Sequence, residues 1–132
     1  MLKGFTLKTN RRVEFVNITD NLDAIVRESG IQSGIMTIFV PHTTAGVTIN
    51  ENADPDVVYD ITTFINKAIP FSNNYEHNEG NSAAHIKSSL FGPSLTIIID
   101  EGEMVLGTWQ GIYFCEFDGP RTREYYVKVI AG

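Results

Sequence analysis

Residues 34–50, GIMTIFVPHTTAGVTIN, contain two β-rich segments on either side of a short polar connection. The first segment, residues 34–40, is almost continuously apolar, which predicts a strand that is buried on both faces. The second, residues 46–50, is predicted to be the neighbouring strand. The connection between them, residues 41–45, carries a histidine and two threonines. This stretch therefore predicts a β-rich core with polar side chains at the end of a buried strand.

Three helices are predicted around these strands, in residues 19–30, 54–69 and 81–92. The middle helix has the clearest signal, because Asp54 can cap it, Pro55 suits its first position, and apolar residues then repeat with helical spacing. The first helix is predicted to be capped by its opening threonine or aspartate and to end at a glycine.

The other strands are predicted from alternating apolar and polar residues. Residues 5–9 and 13–18 are predicted to form a hairpin, and residues 95–130 a meander with glycine-containing turns. About eight strands and three helices result, and they do not alternate regularly. The predicted fold class is α+β: one domain over residues 1–132, a β-rich, jelly-roll-like sandwich of mostly antiparallel or mixed strands with about three flanking helices.

Composition excludes several classes of function. The formal net charge of −6 argues against nucleic acid as a partner, although local basic residues can hold a small anion. The single cysteine excludes an intramolecular disulfide framework, and the first five residues lack the features of a signal peptide. No apolar run approaches the roughly 20 residues that span a bilayer. A cytoplasmic location without a membrane partner is therefore predicted.

The first group of candidate site residues follows the two strands of residues 34–50. His42 can bind a metal or transfer a proton, and the hydroxyl groups of Thr43 and Thr44 can donate hydrogen bonds to an anion. In the alternative interpretation Asp54 is only a helix cap and the threonines are only strand formers. Whether His42 meets Glu51 stays open, because adjacent strands would place them at opposite ends of a hairpin.

The second group lies in residues 77–85, HNEGNSAAH, which contain two of the three histidines. The neutral imidazoles of His77 and His85, with a carboxylate and an open position, suit zinc or another transition metal. Asn81 or Ser82 can cap the helix that begins here, and its free N–H groups can hold an anion. The spacing of the histidines is not diagnostic of a known metal motif.

The third group lies in residues 107–121. Trp109 is either a core residue or a flat wall for a ligand ring, and Gln110 beside it can supply hydrogen bonds. Cys115 is interpreted as a buried thiol, with a metal ligand as the alternative. Asp118 lies on one strand face with the preceding glutamate, and Arg121 follows, which suits a cation and a phosphate side by side. The alternative is an ordinary salt bridge in a turn.

Taken together, five motifs resemble the YjbQ family, whose members are also called secondary thiamine-phosphate synthases. They are PHTTAG (41–46), NENADP (50–55), HNEGNSAAHIK (77–87), GTWQG (107–111) and FDGPR (117–121). The similarity covers essentially the whole chain, and motifs of this length in the right order are far more specific than any one of them alone.

The resemblance implies a β-sandwich with flanking helices, a homotrimer with polar sites at or near the subunit boundaries, and a weak thiamine-phosphate synthase activity. In that reaction the nitrogen of a thiazole phosphate attacks the methylene group of a pyrimidine pyrophosphate, and pyrophosphate leaves. A divalent cation, zinc or magnesium, and Arg121 can neutralise the leaving group, Trp109 can stack on a ring, and a histidine can position or protonate the departing oxygen.

The leading hypothesis is therefore an enzyme of this type, with His42, His77 and His85 as metal ligands or acid–base residues and Glu51 as a catalytic carboxylate. The remaining candidates are expected to shape the substrate site: Thr43, Thr44, Asp54, Asn81, Ser82, Trp109, Gln110, Asp118 and Arg121. One alternative is a metal-dependent hydrolase or phosphotransferase acting on another phosphorylated metabolite. Another is a non-catalytic trimer that binds a small anion.

Overall fold

The computed structural model of the protein describes residues 2–132. The helices are α1 (Thr19–Ser29), α2 (Pro55–Ala68) and α3 (Ser82–Phe91). The strands are β1 (Leu2–Lys8), β2 (Glu14–Asn17), β3 (Gly34–Phe39), β4 (Ala45–Glu51), β5 (Ser94–Asp100), β6 (Glu103–Met104), β7 (Gln110–Glu116) and β8 (Thr122–Ala131). This confirms the α+β class with three helices and eight strands.

The strands form two antiparallel sheets. The larger sheet has the order β1-β8-β3-β5-β6, and the smaller sheet has the order β2-β7-β4. The predicted hairpin of residues 5–18 is wrong, because β1 pairs with β8 and β2 pairs with β7. Residues 34–40 and 46–50 are not neighbours either, since β3 and β4 lie in different sheets. The alternation of apolar and polar residues predicts which face of a strand is buried, but it does not predict which strand is its partner.

The predicted meander of residues 95–130 is also wrong. Only β5 and β6 are consecutive strands that pair, whereas β7 belongs to the smaller sheet and β8 returns to the larger one. Consecutive strands of this chain repeatedly cross from one sheet to the other. Short polar connections such as residues 10–12 allow either a hairpin or a crossing, so local sequence does not separate the two.

Burial is distributed differently from the prediction as well. Strand β3 is buried on one face only: Met36 and Ile38 are inaccessible, while Ile35 and Phe39 are 40% and 44% exposed. Strand β7 is instead buried on both faces over residues 111–117. One face of β7 packs against the larger sheet, and the other is covered by α2 and α3.

Two apolar clusters result from this layering. The larger cluster lies between the sheets and includes Leu22, Ile25 and Val26 of α1. The smaller cluster lies between the three-stranded sheet and the helices, where Ile65 and Ala84 pack against aromatic residues of β7 and its continuation. None of the helices formed by residues 2–132 is long and apolar enough to cross a membrane.

The helix ends follow the sequence in part. Asp54 caps α2 as predicted, because its carboxylate accepts a hydrogen bond from the N–H of Asp56 at 2.9 Å. Gly30 ends α1 with a left-handed φ of 69°. The predicted cap of α1 is wrong, since Ile18 occupies the cap position and Thr19 is already helical. The hydroxyl group of Thr19 donates to the Asn17 side chain instead.

A buried ion pair joins the two sheets. Glu116 at the end of β7 is 0% exposed and Arg123 near the start of β8 is 4% exposed. Nε of Arg123 donates to Oε1 of Glu116 at 2.8 Å. The hydroxyl group of Thr9 donates to the same oxygen, and Thr44 Oγ1 accepts from Arg123 Nη2 at 2.8 Å. Burial raises the pKa of Glu116, but the hydrogen bonds from Arg123, the Asp118 N–H and Thr9 outweigh it and hold the pKa below its ordinary value.

Replacing only one partner of this pair should be costly. Glu116→Gln leaves the Arg123 charge buried without a counter-ion, so we expect the free energy of unfolding to fall by about 3–5 kcal/mol. Urea denaturation measures this loss. The double variant Glu116→Gln/Arg123→Met removes both charges and should recover most of it. A single variant as stable as the unmodified protein would show that the pair is not a structural constraint.

Candidate functional site

The 41–46 and 117–121 motifs lie at one end of the sandwich, where β4 and β8 begin and β1 and β7 end, and the N–H of Phe117 donates to the backbone oxygen of Thr44 at 3.2 Å. We call this end the His42 edge, and define it by His42, Thr44, Asn81, Asp118 and Arg121. A chain of hydrogen bonds connects this edge to the buried ion pair beneath it, because the Asp118 N–H donates to Glu116 Oε2 at 2.9 Å. Rigid β-structure therefore supports side chains that belong to loops.

His42 is held by a backbone contact. Its Nε2 accepts a hydrogen bond from the N–H of Glu124 at 3.0 Å. An imidazole nitrogen that accepts carries no proton, so the neutral ring has its proton on Nδ1. Burial and then the nearby Arg123 charge lower the pKa of His42, despite the carboxylates of Glu116 and Glu124. At neutral pH His42 is therefore an uncharged hydrogen-bond donor through Nδ1.

Asp118 organises the outer part of the edge. Its Oδ2 accepts from Asn81 Nδ2 at 3.0 Å and from Arg121 Nη2 at 2.8 Å, and its backbone oxygen accepts from Arg121 Nε. The Arg121 side chain remains 52% exposed. The salt bridge that was the alternative interpretation of this turn is thus present. It holds the guanidinium group in one place while leaving much of it open to solvent.

Asn81 has one unsatisfied group. It occupies the cap position of α3 without making a side-chain cap, because the side chain turns to Asp118 instead. Its Oδ1 is buried and accepts no hydrogen bond, and it is the only such side-chain atom within residues 2–132. Exchanging the amide nitrogen and oxygen would place two acceptors, Oδ1 and the carboxylate, together, so the orientation follows from Asp118. A buried acceptor without a protein partner is a position where an ordered water, a bound molecule or a second copy can complete the hydrogen bonding.

The other two histidines lie together on the loop and first turns of α3. The ring centroids of His77 and His85 are 5.5 Å apart, with an angle of 81° between the ring planes. They line a cavity of about 390 Å³ together with Tyr75, Glu76, Ser82 and Ile86. The prediction that the loop and helix bring these two residues together agrees with this arrangement.

A metal centre is not complete within one chain. Among residues 2–132, no group of three or more His, Cys, Asp and Glu side chains is positioned to hold a metal ion. The pair of His77 and His85 is one ligand short of the three that catalytic zinc sites draw from the protein. Cys115 is fully buried among apolar residues, and burial strongly raises the pKa of its thiol, which favours the buried-thiol interpretation.

Glu51, Trp109 and Gln110 lie at the far end of the three-stranded sheet from the His42 edge. In the β4–β7 pair Glu51 is opposite Gln110, whereas Ala45 is opposite Glu116. Six residues of strand separate the two ends, which corresponds to about 20 Å. His42 and Glu51 therefore do not meet within one chain. Trp109 is 62% exposed, so it is not a core residue.

These residues at the far end also shape their own turn. The Gln110 side-chain oxygen accepts from the N–H of Gly107 at 2.7 Å, and the Trp109 backbone oxygen accepts from the N–H of Asn52 at 2.9 Å. The Glu51 carboxylate accepts from the N–H of Ala53. The far end therefore presents a preformed aromatic surface whose neighbouring polar side chains are already hydrogen-bonded to the backbone.

Comparison with known proteins identifies the family. A protein-family model described as UPF0047 protein YjbQ-like matches residues 3–132 of the sequence. The chain belongs to the YjbQ family. UPF0047 protein MJ1081 of Methanocaldococcus jannaschii is 58% identical over 130 residues, which cover 98% of this chain and 94% of that protein. UPF0047 protein YugU of Bacillus subtilis is 52% identical, with coverage of 98% and 99%.

Solved structures of YjbQ proteins share this fold. An uncharacterized conserved protein of the family from Clostridium acetobutylicum superposes with a TM-score of 0.95 at 54% identity, covering 97% of this chain and 99% of that chain. A YjbQ-like protein of unknown function from Sulfolobus solfataricus superposes with the same TM-score at 36% identity, with coverage of 100% and 97%. The family resemblance predicted from the motifs is thereby confirmed.

Sequence reasoning missed the residues that hold this YjbQ site together. Arg123 lies on the buried face of β8 together with Tyr125 and Val127. An arginine at a position that the alternation predicts to be buried indicates a buried carboxylate partner, and this could have been read from the sequence. Thr9 gave no such signal, because its hydrogen bond to Glu116 joins residues 107 positions apart.

The protonation of His42 should appear in the pH dependence of stability. Because the folded state lowers the pKa of His42, the unfolded chain takes up a proton first as the pH falls below about 6.5. The free energy of unfolding should therefore decrease on acidification, relative to that of His42→Gln, by at most about 1.4 kcal/mol per pH unit. Urea denaturation of both proteins between neutral and mildly acidic pH measures this difference. Parallel curves would contradict a neutral, backbone-bound His42.

Proposed function

We propose that this chain is a small-molecule enzyme of the secondary thiamine-phosphate synthase type. The observation that carries the proposal is the His42 edge, where a neutral imidazole and a partly exposed guanidinium group are both held in place by hydrogen bonds. Such preorganised donors stabilise negative charge that develops on a departing phosphate oxygen. The same proposal places the enzyme in the cytoplasm, as the sequence predicts.

The reaction assigns a separate task to each group. The thiazole nitrogen attacks the methylene carbon, the carbon–oxygen bond breaks, and pyrophosphate leaves with the bonding electrons. Arg121 and the Nδ1–H of His42 donate hydrogen bonds to the leaving phosphate oxygens. Oδ1 of Asn81 accepts from an N–H group of the substrate, which satisfies the buried oxygen. A divalent cation, zinc or magnesium, would help to neutralise the leaving pyrophosphate, and His77 and His85 together with a ligand from another copy would hold it.

In this proposal, Trp109 at the far end of the sheet contributes to the active site of a second copy of the chain. Trp109 is suited to stack on a heteroaromatic ring, but about 20 Å of strand separate it from the His42 edge of its own chain. In a homotrimer the far end of one subunit can face the His42 edge of the next. The active site would then be shared between subunits.

Two exposed apolar patches support a closed ring of three. One patch is the outer face of the larger sheet, with Ile35, Phe39 and Ile98. The other is on α3, which packs on the smaller sheet, with Ile86 and Leu90. A ring needs two different patches that meet, whereas a two-fold dimer needs only one self-complementary patch. The patches lie on opposite sides of the sandwich, so they are two different surfaces that can form a head-to-tail contact.

The His77 and His85 pair favours a second candidate, a metal-dependent hydrolase or phosphotransferase acting on another phosphorylated metabolite. Another copy of the chain would then have to supply the missing ligand. Elemental analysis of untagged protein tests this candidate. Near-stoichiometric zinc or magnesium that is lost in both His77→Ala and His85→Ala supports it, and full activity in metal-free protein removes it. Ligand binding without turnover of any substrate supports the non-catalytic trimer.

Arg121 should be essential for efficient synthesis. Purified protein is expected to form thiamine phosphate from the pyrimidine pyrophosphate and the thiazole phosphate. Arg121→Gln should lower kcat/KM by about 100-fold, because it removes a charged donor to the leaving group. Chromatography of the products measures the rate. Arg27→Gln, on an exposed face of α1, is the matched control. Equal rates in both variants would remove Arg121 from the mechanism.

The assembly can be tested by combining two damaged surfaces. Unmodified protein should have three times the 14.7 kDa mass of one chain in light scattering. Ile98→Glu and Leu90→Glu should each be monomeric, because each places a charge in one of the two patches. An equimolar mixture should form a heterodimer through the one remaining pair of intact patches. Unmodified protein that is monomeric, or a mixture that stays monomeric, would contradict the ring.

A further inference from the structure

A second cationic site lies beneath the connection between β1 and β2, between that connection and the facing parts of α2 and α3. It is a cavity of about 430 Å³. Its lining combines three cationic side chains with one amide and a small apolar wall: Arg11, Arg12, Val13, Asn66, Pro70, Phe71 and Lys87. None of the three cationic residues belongs to the His42 edge.

Lys87 is a buried cation without a carboxylate partner. The residue is 3% exposed, and its Nζ donates to Oδ1 of Asn66 at 2.6 Å. Within residues 2–132 the ion pairs are made by other cations, namely Lys3, Arg121 and Arg123. A neutral amide satisfies one of the three ammonium N–H groups but does not balance the charge. Burial and then the charge of Arg12 lower the pKa of Lys87.

The two arginines bring more positive charge to the same cavity. The guanidinium carbon of Arg12 lies 3.5 Å from the centre of the Phe71 ring. This cation–π contact holds the side chain in position without neutralising it. Arg11 lines the cavity from the same connection. Three cations line one cavity in a protein whose formal net charge is −6. The lining given above contains no carboxylate, although Glu14 and Asp56 line a neighbouring cavity that also includes Arg11.

We propose that this cavity binds the phosphate group of a small phosphorylated molecule. A phosphate dianion matches several converging cations better than a carboxylate does, and its oxygens can accept from a guanidinium fork and an ammonium group at once. An adjoining cavity of about 540 Å³ shares Arg11, Val13 and Asn66 with this one. It is also lined by Phe15 and Tyr59, which gives the organic part of the ligand an aromatic surface.

The proposal is independent of catalysis at the His42 edge, although the two sites are close in space. The backbone oxygen of Arg12 accepts the N–H of Gly119 at 3.0 Å, one residue beyond Asp118. Occupation of the cavity would hold the connection between β1 and β2 against this turn. The bound phosphate would therefore sit next to the segment that positions Arg121.

The test is calorimetric titration with inorganic phosphate at constant ionic strength. The concentration reaches about 10 mM, at which a site with a Kd of about 1 mM is about nine-tenths occupied. The variants are Lys87→Met and Arg12→Gln in the cavity. Lys67→Met is the matched control, an exposed lysine on α2 that does not line the cavity. Arg121→Gln reports on binding at the His42 edge.

We expect the unmodified protein and Lys67→Met to bind phosphate with similar Kd, and Arg121→Gln to retain the binding event at the cavity. Both cavity variants should bind at least tenfold more weakly in that event. Lys87→Met should also unfold at the same temperature as unmodified protein in phosphate-free buffer or at a higher one, because it removes a buried unpaired charge. The exposed Arg12 tests the site even if Lys87→Met does not fold. Absence of binding to the unmodified protein, equal Kd in all variants, or loss of binding only in Arg121→Gln would overturn the proposal.

Discussion

The ion pair between Glu116 and Arg123 is the constraint on which the rest of the structure depends. It joins the last residue of β7 to an inward residue of β8, and therefore joins one sheet to the other at a single end of the sandwich. Its remaining hydrogen bonds reach Thr9, Thr44 and the backbone of Asp118. Each of these lies in a loop or at a strand end, where the backbone would otherwise have considerable freedom. A buried charge pair with satisfied partners accepts few alternative arrangements, so it specifies how the loops above it are placed.

The predictable parts of the fold are those set by local physics. The α2 helix could be located because Asp54, Pro55 and an apolar repeat act within one segment. The pairing of strands could not be predicted, because it depends on contacts between residues that are far apart in sequence, such as Phe5 with Tyr125 and Gly46 with Cys115. The two-sided burial expected for β3 belongs to β7 instead, since helices cover β7, whereas Ile35 and Phe39 on the outer face of β3 stay exposed among residues 2–132.

The candidate site shows the same division. Motifs predicted that His77 and His85, and Asp118 and Arg121, would be close, because each pair is near in sequence. They left open whether His42 meets Glu51, because the answer depends on the direction of β4 and the length of the strand, and the β4–β7 register places the two at opposite ends. The cationic cavity beneath the β1–β2 connection could not be predicted from the sequence either. Arg12 and Lys87 are 75 residues apart in sequence and line the same cavity only because α3 packs there.

The edges of the larger sheet are protected against further strands. The edge strand β6 has only two residues, Glu103 and Met104, so it offers little unpaired backbone to another chain. At the opposite edge, β1 ends in Lys8, whose charge repels a second copy of the same strand. Growth by adding strands side by side, which leads to open fibres, is thereby disfavoured. In the ring proposed above, the exposed apolar outer face of this sheet would therefore serve a closed assembly and not an open fibre.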